Sequence, residues 1–290
     1  QVTAGSLFIA IQGAVADGRD YIPQAVEKGA AAVLYKSAEP LELSVPAIRV
    51  SDDYVACGRV AERFYEYPAR KMLKIGITGT NGKTTTAYLL RSIFRTAGRK
   101  VGLIGTVSYD LGDREIPADR TTPTPLELQS MLAEMRAAGV RTLIMEVSSH
   151  ALCQQRMGTM CFDAAAFTNL TPEHLDYHGD MESYYQAKKL LFTDFLKRGG
   201  AMIVNVDDEY GVRLDDELTG RMLTYGFSER AEFRPTEWEM DISGTNLQLP
   251  FGELRSPLIG DYNALNALCA AACAWSCGVG DTDIRKAIEQ

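Results

Sequence analysis

The sequence lacks any apolar run approaching the roughly 18 residues that a membrane-spanning helix needs. It has no internal repeat and no low-complexity tract, which excludes solenoid, collagen-like and disordered classes. Positive charge is not in excess: 30 Lys and Arg stand against 38 Asp and Glu, a net charge of −8. That argues against non-specific nucleic-acid or anionic-membrane binding, while leaving room for a local basic pocket for phosphates. The six cysteines form no C-x-x-C pair, and no secretory leader opens the sequence, so free thiols in a reducing cytoplasm are expected. Cys269, Cys273 and Cys277 share one helical face of an Ala-rich segment and read as small apolar packers. What is present is ordinary for a globular chain, 46% hydrophobic and 23% charged, and 290 residues suggest two domains.

Hydrophobic patterning sketches a small α/β unit first. Strands are predicted at Leu7–Ala10, Ala31–Tyr35 and Ala47–Val50, with helices at Tyr21–Lys28 and about Asp52–Tyr65. Glu66-Tyr67-Pro68 reads as a linker, because proline disfavours helix at the residue before it. Domains at residues 1–70 and 71–290 follow. In the second, predicted strands (73–78, 101–107, 142–147, 164–169, 201–206) alternate with helices (83–97, 125–138, 182–197). Such alternation means a mostly parallel sheet with helices on both faces. Short strands fill 222–258, with a turn at Gly244, before a final helix at 263–277. The fold class expected is therefore α/β: a small N-terminal α/β domain, then a domain with a mostly parallel sheet, helices on both faces and a short β-rich section; the Gly79-Thr80-Asn81-Gly82-Lys83-Thr84 loop after its first strand makes that second domain a P-loop ATPase domain.

The strongest local signal is Gly79-Thr80-Asn81-Gly82-Lys83-Thr84-Thr85, set between a strand and a helix. Glycines there let backbone N–H groups turn toward phosphate oxygens, and the helix N-terminus adds a favourable dipole. Lys83 is positioned to neutralise the β- and γ-phosphates of ATP, and the Thr84 hydroxyl to reach Mg2+. One departure stands out: the usual pattern wants glycine at 77, where this chain has isoleucine.

All three histidines, His150, His174 and His178, fall within 29 residues. Glu146 ends an apolar strand, and in a parallel sheet the carboxyl ends of strands form the ligand crevice. An acid there can hold magnesium opposite the P-loop threonine. His174 follows another strand and is a candidate metal ligand or orienting group, although a loop histidine alone is as readily a simple hydrogen-bonder. No H-E-x-x-H motif supports zinc. By pattern alone Lys188 and Lys189 read as surface charges on their helix.

Taken together these residues resemble the Mur ligases, ATP-dependent amide-bond-forming enzymes of peptidoglycan precursor synthesis. The likeness rests on Gly-Thr-Asn-Gly-Lys-Thr-Thr-Thr at 79–86, Thr-Thr-Pro at 121–123 and Met-Glu-Val-Ser-Ser-His at 145–150. It extends through Phe-Thr-Asn-Leu and Leu-Asp-Tyr-His-Gly-Asp within 167–180, Ala-Lys at 187–188, and an N-terminal pattern over 7–30. The branch most similar is the one that adds a third amino acid, meso-diaminopimelate or L-lysine, to UDP-MurNAc-L-Ala-D-Glu. The resemblance implies that Lys188 is N6-carboxylated and that Thr84, Glu146, His174 and Lys188 serve two magnesium sites. It implies that Lys83, Lys188, Glu146 and His174 are catalytic, and that Asn263 and Asn266 lie on the adenine side of ATP. Thr121, Thr122, Ser148, Gln154 and Arg156 match positions that grip the muramoyl peptide, and Ala14, Val15 and Ala16 a segment near the uridine. Arg120 departs from the asparagine common before Thr-Thr in relatives and is a weak contact candidate. The reaction implied phosphorylates the D-glutamyl carboxylate with ATP to an acyl phosphate, which the incoming amine then attacks. A third, amino-acid-binding domain is expected beyond Gln290, so the sequence reads as a fragment, cytoplasmic, monomeric and weakly ligating by itself. Two other readings stay open: the folylpolyglutamate synthetase branch of the same superfamily, and a nucleotide-binding module without catalysis.

Overall fold

The computed structural model describes residues 2–13 and 16–290. Ala14 and Val15, read as uridine-side residues, lie outside the described residues; Ala16 is exposed and closes a turn by accepting the Gly13 N–H at 2.9 Å. The chain first builds a parallel sheet of β1 (Leu7–Ala10), β2 (Ala32–Lys36) and β3 (Ala47–Val50), flanked by α1 (Ile22–Glu27) and α2 (Asp53–Phe64). Its core is small, centred on Ala10, Ile22, Val33 and Tyr35. The connection out of α2 runs through Glu66 and Tyr67, both in left-handed backbone conformation, before Pro68 starts a tight 3-10 turn.

The main body is one eight-stranded sheet. Its strands are β4 (Leu73–Thr78), β5 (Val101–Ile104), β6 (Ser108–Asp110), β7 (Glu115–Pro117), β8 (Thr142–Glu146), β9 (Phe162–Phe167), β10 (Leu196–Asn205) and β11 (Arg221–Tyr225). They lie in the order β11-β10-β9-β4-β8-β5-β6-β7, parallel except for β6 and β7. The strands read as near-continuous apolar runs because both faces are covered. Ile75, Ile77, Ile144, Ala164 and Ile203 point to one core, with α3 (Lys83–Thr96) among the covering helices. Leu143, Met145, Ala165, Met202 and Val204 point to the other, under α4 (Pro125–Ala137), α5 (Ser149–Cys153) and, beyond the four-residue α6 (Leu175–His178), α7 (Met181–Thr193) and α8 (Glu209–Glu217). Each fully buried Val, Leu, Ile or Met side chain in these layers contributes about 1.5–3 kcal/mol. An antiparallel sheet of β12 (Glu237–Asp241), β13 (Gly244–Leu249) and β14 (Gly252–Ser256) follows, then α9 (Asp261–Ser276) and α10 (Asp281–Ile288). α9 packs on α3 through an Ala- and Cys-rich face in which Cys269 and Cys273 are fully buried.

Four expectations are corrected. The strand expected over 101–107 stops at Ile104, and the chain reverses into the β6–β7 extension. The helix expected over 182–197 ends at Thr193, and Leu196 already belongs to β10, which carries a register shift before Ala201. The helix over 263–277 is not the last, because α10 follows it. Lys188 is not a surface charge: it is 2% exposed.

Candidate active site

β4 is central, with β9 on one side and β8 on the other, so the turn after β4 faces the carboxyl ends of both neighbours. Ile77 is in register with Glu146, which brings the end of β8 beside the loop. Gly79 and Gly82 both take positive φ, and Gly82 caps α3 without any side-chain bond to the helix N–H groups. A Cβ at Gly79 would collide with Thr168, and one at Gly82 with Asn266, so this close turn requires glycine. The free N–H groups and the dipole of α3 point into the cradle.

Lys83 lies over this loop, its Nζ donating to the carbonyls of Gly79 (2.9 Å) and Thr80 (2.8 Å). Burial holds its ammonium below the ordinary lysine range, opposed by the charge of Glu146. The Thr84 hydroxyl donates to Glu146 Oε2 at 2.9 Å. Glu146 is wholly buried and also accepts the Thr106 N–H (3.0 Å) and hydroxyl (2.9 Å). No cation pairs with this carboxylate among the described residues, and it packs so closely on Gly105 that a Cβ there would collide with Oε1.

A second network radiates from the same strand end. Thr122 donates its hydroxyl to the Glu146 carbonyl (3.0 Å) and accepts the Ser148 N–H (3.1 Å). Arg156 donates to the Thr122 carbonyl (2.7 Å) and clamps the Gln154 amide oxygen with two further N–H groups. Thr121 meets Thr106 at 3.1 Å, and Ser148 caps α5. Thr84, Glu146, Thr121, Thr122, Ser148, Gln154 and Arg156 are thus one connected set. On the other flank, Asn81 exchanges hydrogen bonds with Asn169, at 2.9 and 3.1 Å. Asn266 packs on Gly82 and reaches Asn263 at 3.4 Å, closing a small cleft that Asn81, Asn205 and Tyr262 also line.

Neither Lys188 nor His174 hydrogen-bonds to Thr84 or Glu146 among the described residues. Lys188 Nζ donates to the Gly79 carbonyl at 2.8 Å and lies 4.5 Å from the centre of the Tyr184 ring. No carboxylate pairs with it among the described residues. Burial first, and Lys83 second, hold its ammonium well below the ordinary lysine range. His174 is half-exposed at the start of α6 in left-handed conformation, edge-on to His150 and, farther off, to Tyr184. His178 stacks on Tyr184 and meets the Ser149 hydroxyl at 2.9 Å. Thr106, Asn169 and Tyr184 belong to the site but were not singled out from sequence. Asn169 lay inside a quoted motif without a role, whereas nothing local marked Thr106 or Tyr184.

Fold and loop together define a doubly wound α/β protein with a P-loop-type strand–turn–helix at the centre of its sheet. A family profile described as Mur ligase middle domain matches residues 77–274, and one described as Mur ligase family, catalytic domain, matches residues 1–77. The chain belongs to the Mur ligase family. It is 41% identical to the UDP-N-acetylmuramoyl-L-alanyl-D-glutamate–2,6-diaminopimelate ligase of Geobacter metallireducens, over 100% of this chain and 58% of that protein. It is 44% identical to the ligase of the same name from Streptomyces coelicolor, over 96% of this chain and 56% of the relative. A solved structure of a ligase of that name superposes with a TM-score of 0.83 at 25% identity, over 99% of this chain and 60% of the other. The chain therefore spans somewhat more than half the length of these relatives. Among the described residues no helix is long and apolar enough to cross a membrane.

Proposed function

We propose that this chain carries the ATP-binding and muramoyl-peptide-binding parts of a ligase that adds the third amino acid to UDP-MurNAc-L-Ala-D-Glu through an acyl phosphate, in cytoplasmic peptidoglycan synthesis. The names of its relatives favour meso-diaminopimelate over L-lysine. The observation that carries the reading is the joining of the phosphate loop to the Thr122–Ser148–Arg156 network through one buried carboxylate, Glu146. Nucleotide and acceptor would thereby meet at one strand end. Residues 1–70 would hold the uridine end, residues 71–290 would form the ATPase, and the protein would act as a monomer.

The donor chemistry fits magnesium. Thr84 and Glu146 offer hard oxygen ligands, and no group of three His, Cys, Asp or Glu among the described residues could cage a metal alone. That is the pattern of Mg2+, which is held by one or two protein oxygens and completed by phosphates and water. When bound it would neutralise charge between two anionic reactants. Lys83 would leave the Gly79 and Thr80 carbonyls for phosphate oxygens, and the α3 N–H groups would hold the same phosphates. Arg156, Thr121, Thr122, Ser148 and Gln154 would orient the acceptor. Lys188, whose charged form burial disfavours, would bond its nitrogen to CO2 and release one proton, giving a carbamate whose oxygens would serve a second magnesium with His174. Asn263 and Asn266 would line the adenine side.

Thermal shift tests the assignment. UDP-MurNAc-dipeptide with ATP–magnesium should raise the melting temperature, since a ligand at 100 times its Kd contributes about 2.7 kcal/mol. A shift with folate in place of the muramoyl peptide would transfer the chain to the folylpolyglutamate branch. A shift with ATP–magnesium and no response to either acceptor would support a bare nucleotide-binding module.

A further inference from the structure

On the edge of the large sheet opposite the phosphate loop lies a separate cavity of about 420 Å³. It opens where the last turn of α2, the connection around Tyr67 and the amino-terminal ends of β4, β9 and β10 converge. Two buried polar side chains there have unspent hydrogen-bonding capacity. Gln129, on α4, is 1% exposed, lines the cavity and makes no side-chain hydrogen bond to the described residues. Glu62, 5% exposed, accepts the Thr159 N–H (3.0 Å) and hydroxyl (2.7 Å) on Oε2 alone, leaving Oε1 without a donor. Neither group is sealed in: among the described residues the enclosed side-chain atoms without a partner are Thr86 Oγ1, Thr142 Oγ1 and Arg285 Nε, so the Gln129 amide and Glu62 Oε1 open onto the cavity, where a bound solute can complete them.

The charge balance favours an anion. Arg70, Lys74 and Lys197 line the cavity against Glu62 and the adjoining Asp163, an excess of one positive charge; Asp163 pairs with both Lys74 (3.5 Å) and Lys197, so the excess rests on Arg70. Lys74 is buried with its Nζ on the Met72 carbonyl at 2.8 Å, and burial holds its ammonium below the ordinary lysine range. Arg70 is exposed and makes no ion pair among the described residues. Tyr67 and Met160 supply apolar wall.

We propose that this cavity binds a small apolar anion bearing one amide-type N–H: its carboxylate or phosphate on Arg70 and Lys197, its amide on Glu62 Oε1 and Gln129, and its apolar body on Tyr67 and Met160. The requirement matches the general form of a binding pocket, mostly apolar with a few convergent polar groups. The site shares no residue with the phosphate loop and does not depend on the function proposed above.

Titration calorimetry of the full chain with three probes tests it: N-acetyl-L-phenylalanine, its uncharged carboxamide, and phenyl phosphate. At least one anion should bind, with the carboxamide about tenfold weaker than the free acid if the charge is read. Binding of the acid assigns a carboxylate head; phenyl phosphate, which carries no amide N–H, should bind more weakly, and its binding without that of the acid would overturn the amide contact. Lys197→Glu and Arg70→Glu, both on exposed rim positions, should each weaken the anion about tenfold, and Gln129→Leu should weaken the acylated amino acid. Saturating ATP–magnesium should leave all these affinities unchanged. The proposal is overturned if neither anion binds below millimolar concentration, if the carboxamide binds as well as the acid, if both rim variants bind normally, or if ATP competes.

Discussion

At the scale of single residues, the site is an arrangement of one half-buried lysine, one buried lysine and one buried carboxylate around a glycine turn. Lys83 and Lys188 both donate to the Gly79 carbonyl, at 2.9 and 2.8 Å, so two cations converge on one backbone oxygen. On the function proposed, Lys83→Ala is expected to abolish ATP-dependent turnover while leaving the circular dichroism spectrum unchanged; near-normal ATPase activity would refute the role of Lys83. Lys188→Ala is expected to lose activity that short carboxylates such as formate or acetate partly restore. Full activity without any added carboxylate would remove the case for carboxylation. Lys188 also shows where residue-level reading misleads. Its charge argued for the surface, yet it is four residues from Tyr184 and three from Leu191, both buried, so helical spacing places it on the inward face. Thr106 was invisible for a different reason: it follows β5, forty positions from Glu146, and only sheet order brings the two together.

At the scale of elements, long periodic segments were legible and short ones were not. The strand–turn–helix of β4 and α3 and the strand carrying Glu146 could be read because glycine placement and apolar runs agree there. The three-residue strands β6 and β7 are too short for alternation to register. The end of α7 was overrun because Phe195 and Leu196 continue its apolar spacing, while the break comes from strand pairing of Leu196 with Phe162. α7 is also tied to α8 by charge. Arg213 bonds Glu182 and Glu217, and Lys189 and Tyr185 bond Glu217. Hydrogen bonds from Arg213 to Glu182, and from Lys189 then Arg213 to Glu217, lower each carboxyl pKa to about 2 from 4.5. A depressed folded-state pKa gives stability that is present above pH 4.5 and is lost as pH falls toward about 2. Arg213→Gln should therefore flatten the fall in melting temperature across that acid window. Identical acid limbs in parent and variant would show that the pairing adds nothing to stability. In the α3–α9 contact, Ala271 is fully buried, and Ala271→Leu is expected to cost about 1–3 kcal/mol by overpacking, measured by urea unfolding.

At the scale of the whole molecule, a cleft or cavity lies at each end of the sheet's strands. The carboxyl edge gathers the phosphate loop, Glu146, Asn169 and the Thr122–Arg156 network; the amino edge holds the second cavity, beside the end of α2. The acidic total of −8 describes neither edge, because each concentrates lysine and arginine locally. Alternating strands and helices gave the class of this architecture, but strand order, which makes β4 and β8 neighbours, is not written in any local pattern. On the function proposed, Thr84 and Glu146 jointly receive magnesium with the nucleotide. Calorimetric titration of ATP into the chain, with and without magnesium, tests it on the parent, Thr84→Ala and Glu146→Gln. Magnesium should strengthen ATP binding to the parent and have little effect on either variant. An equal magnesium enhancement in all three would contradict the claim.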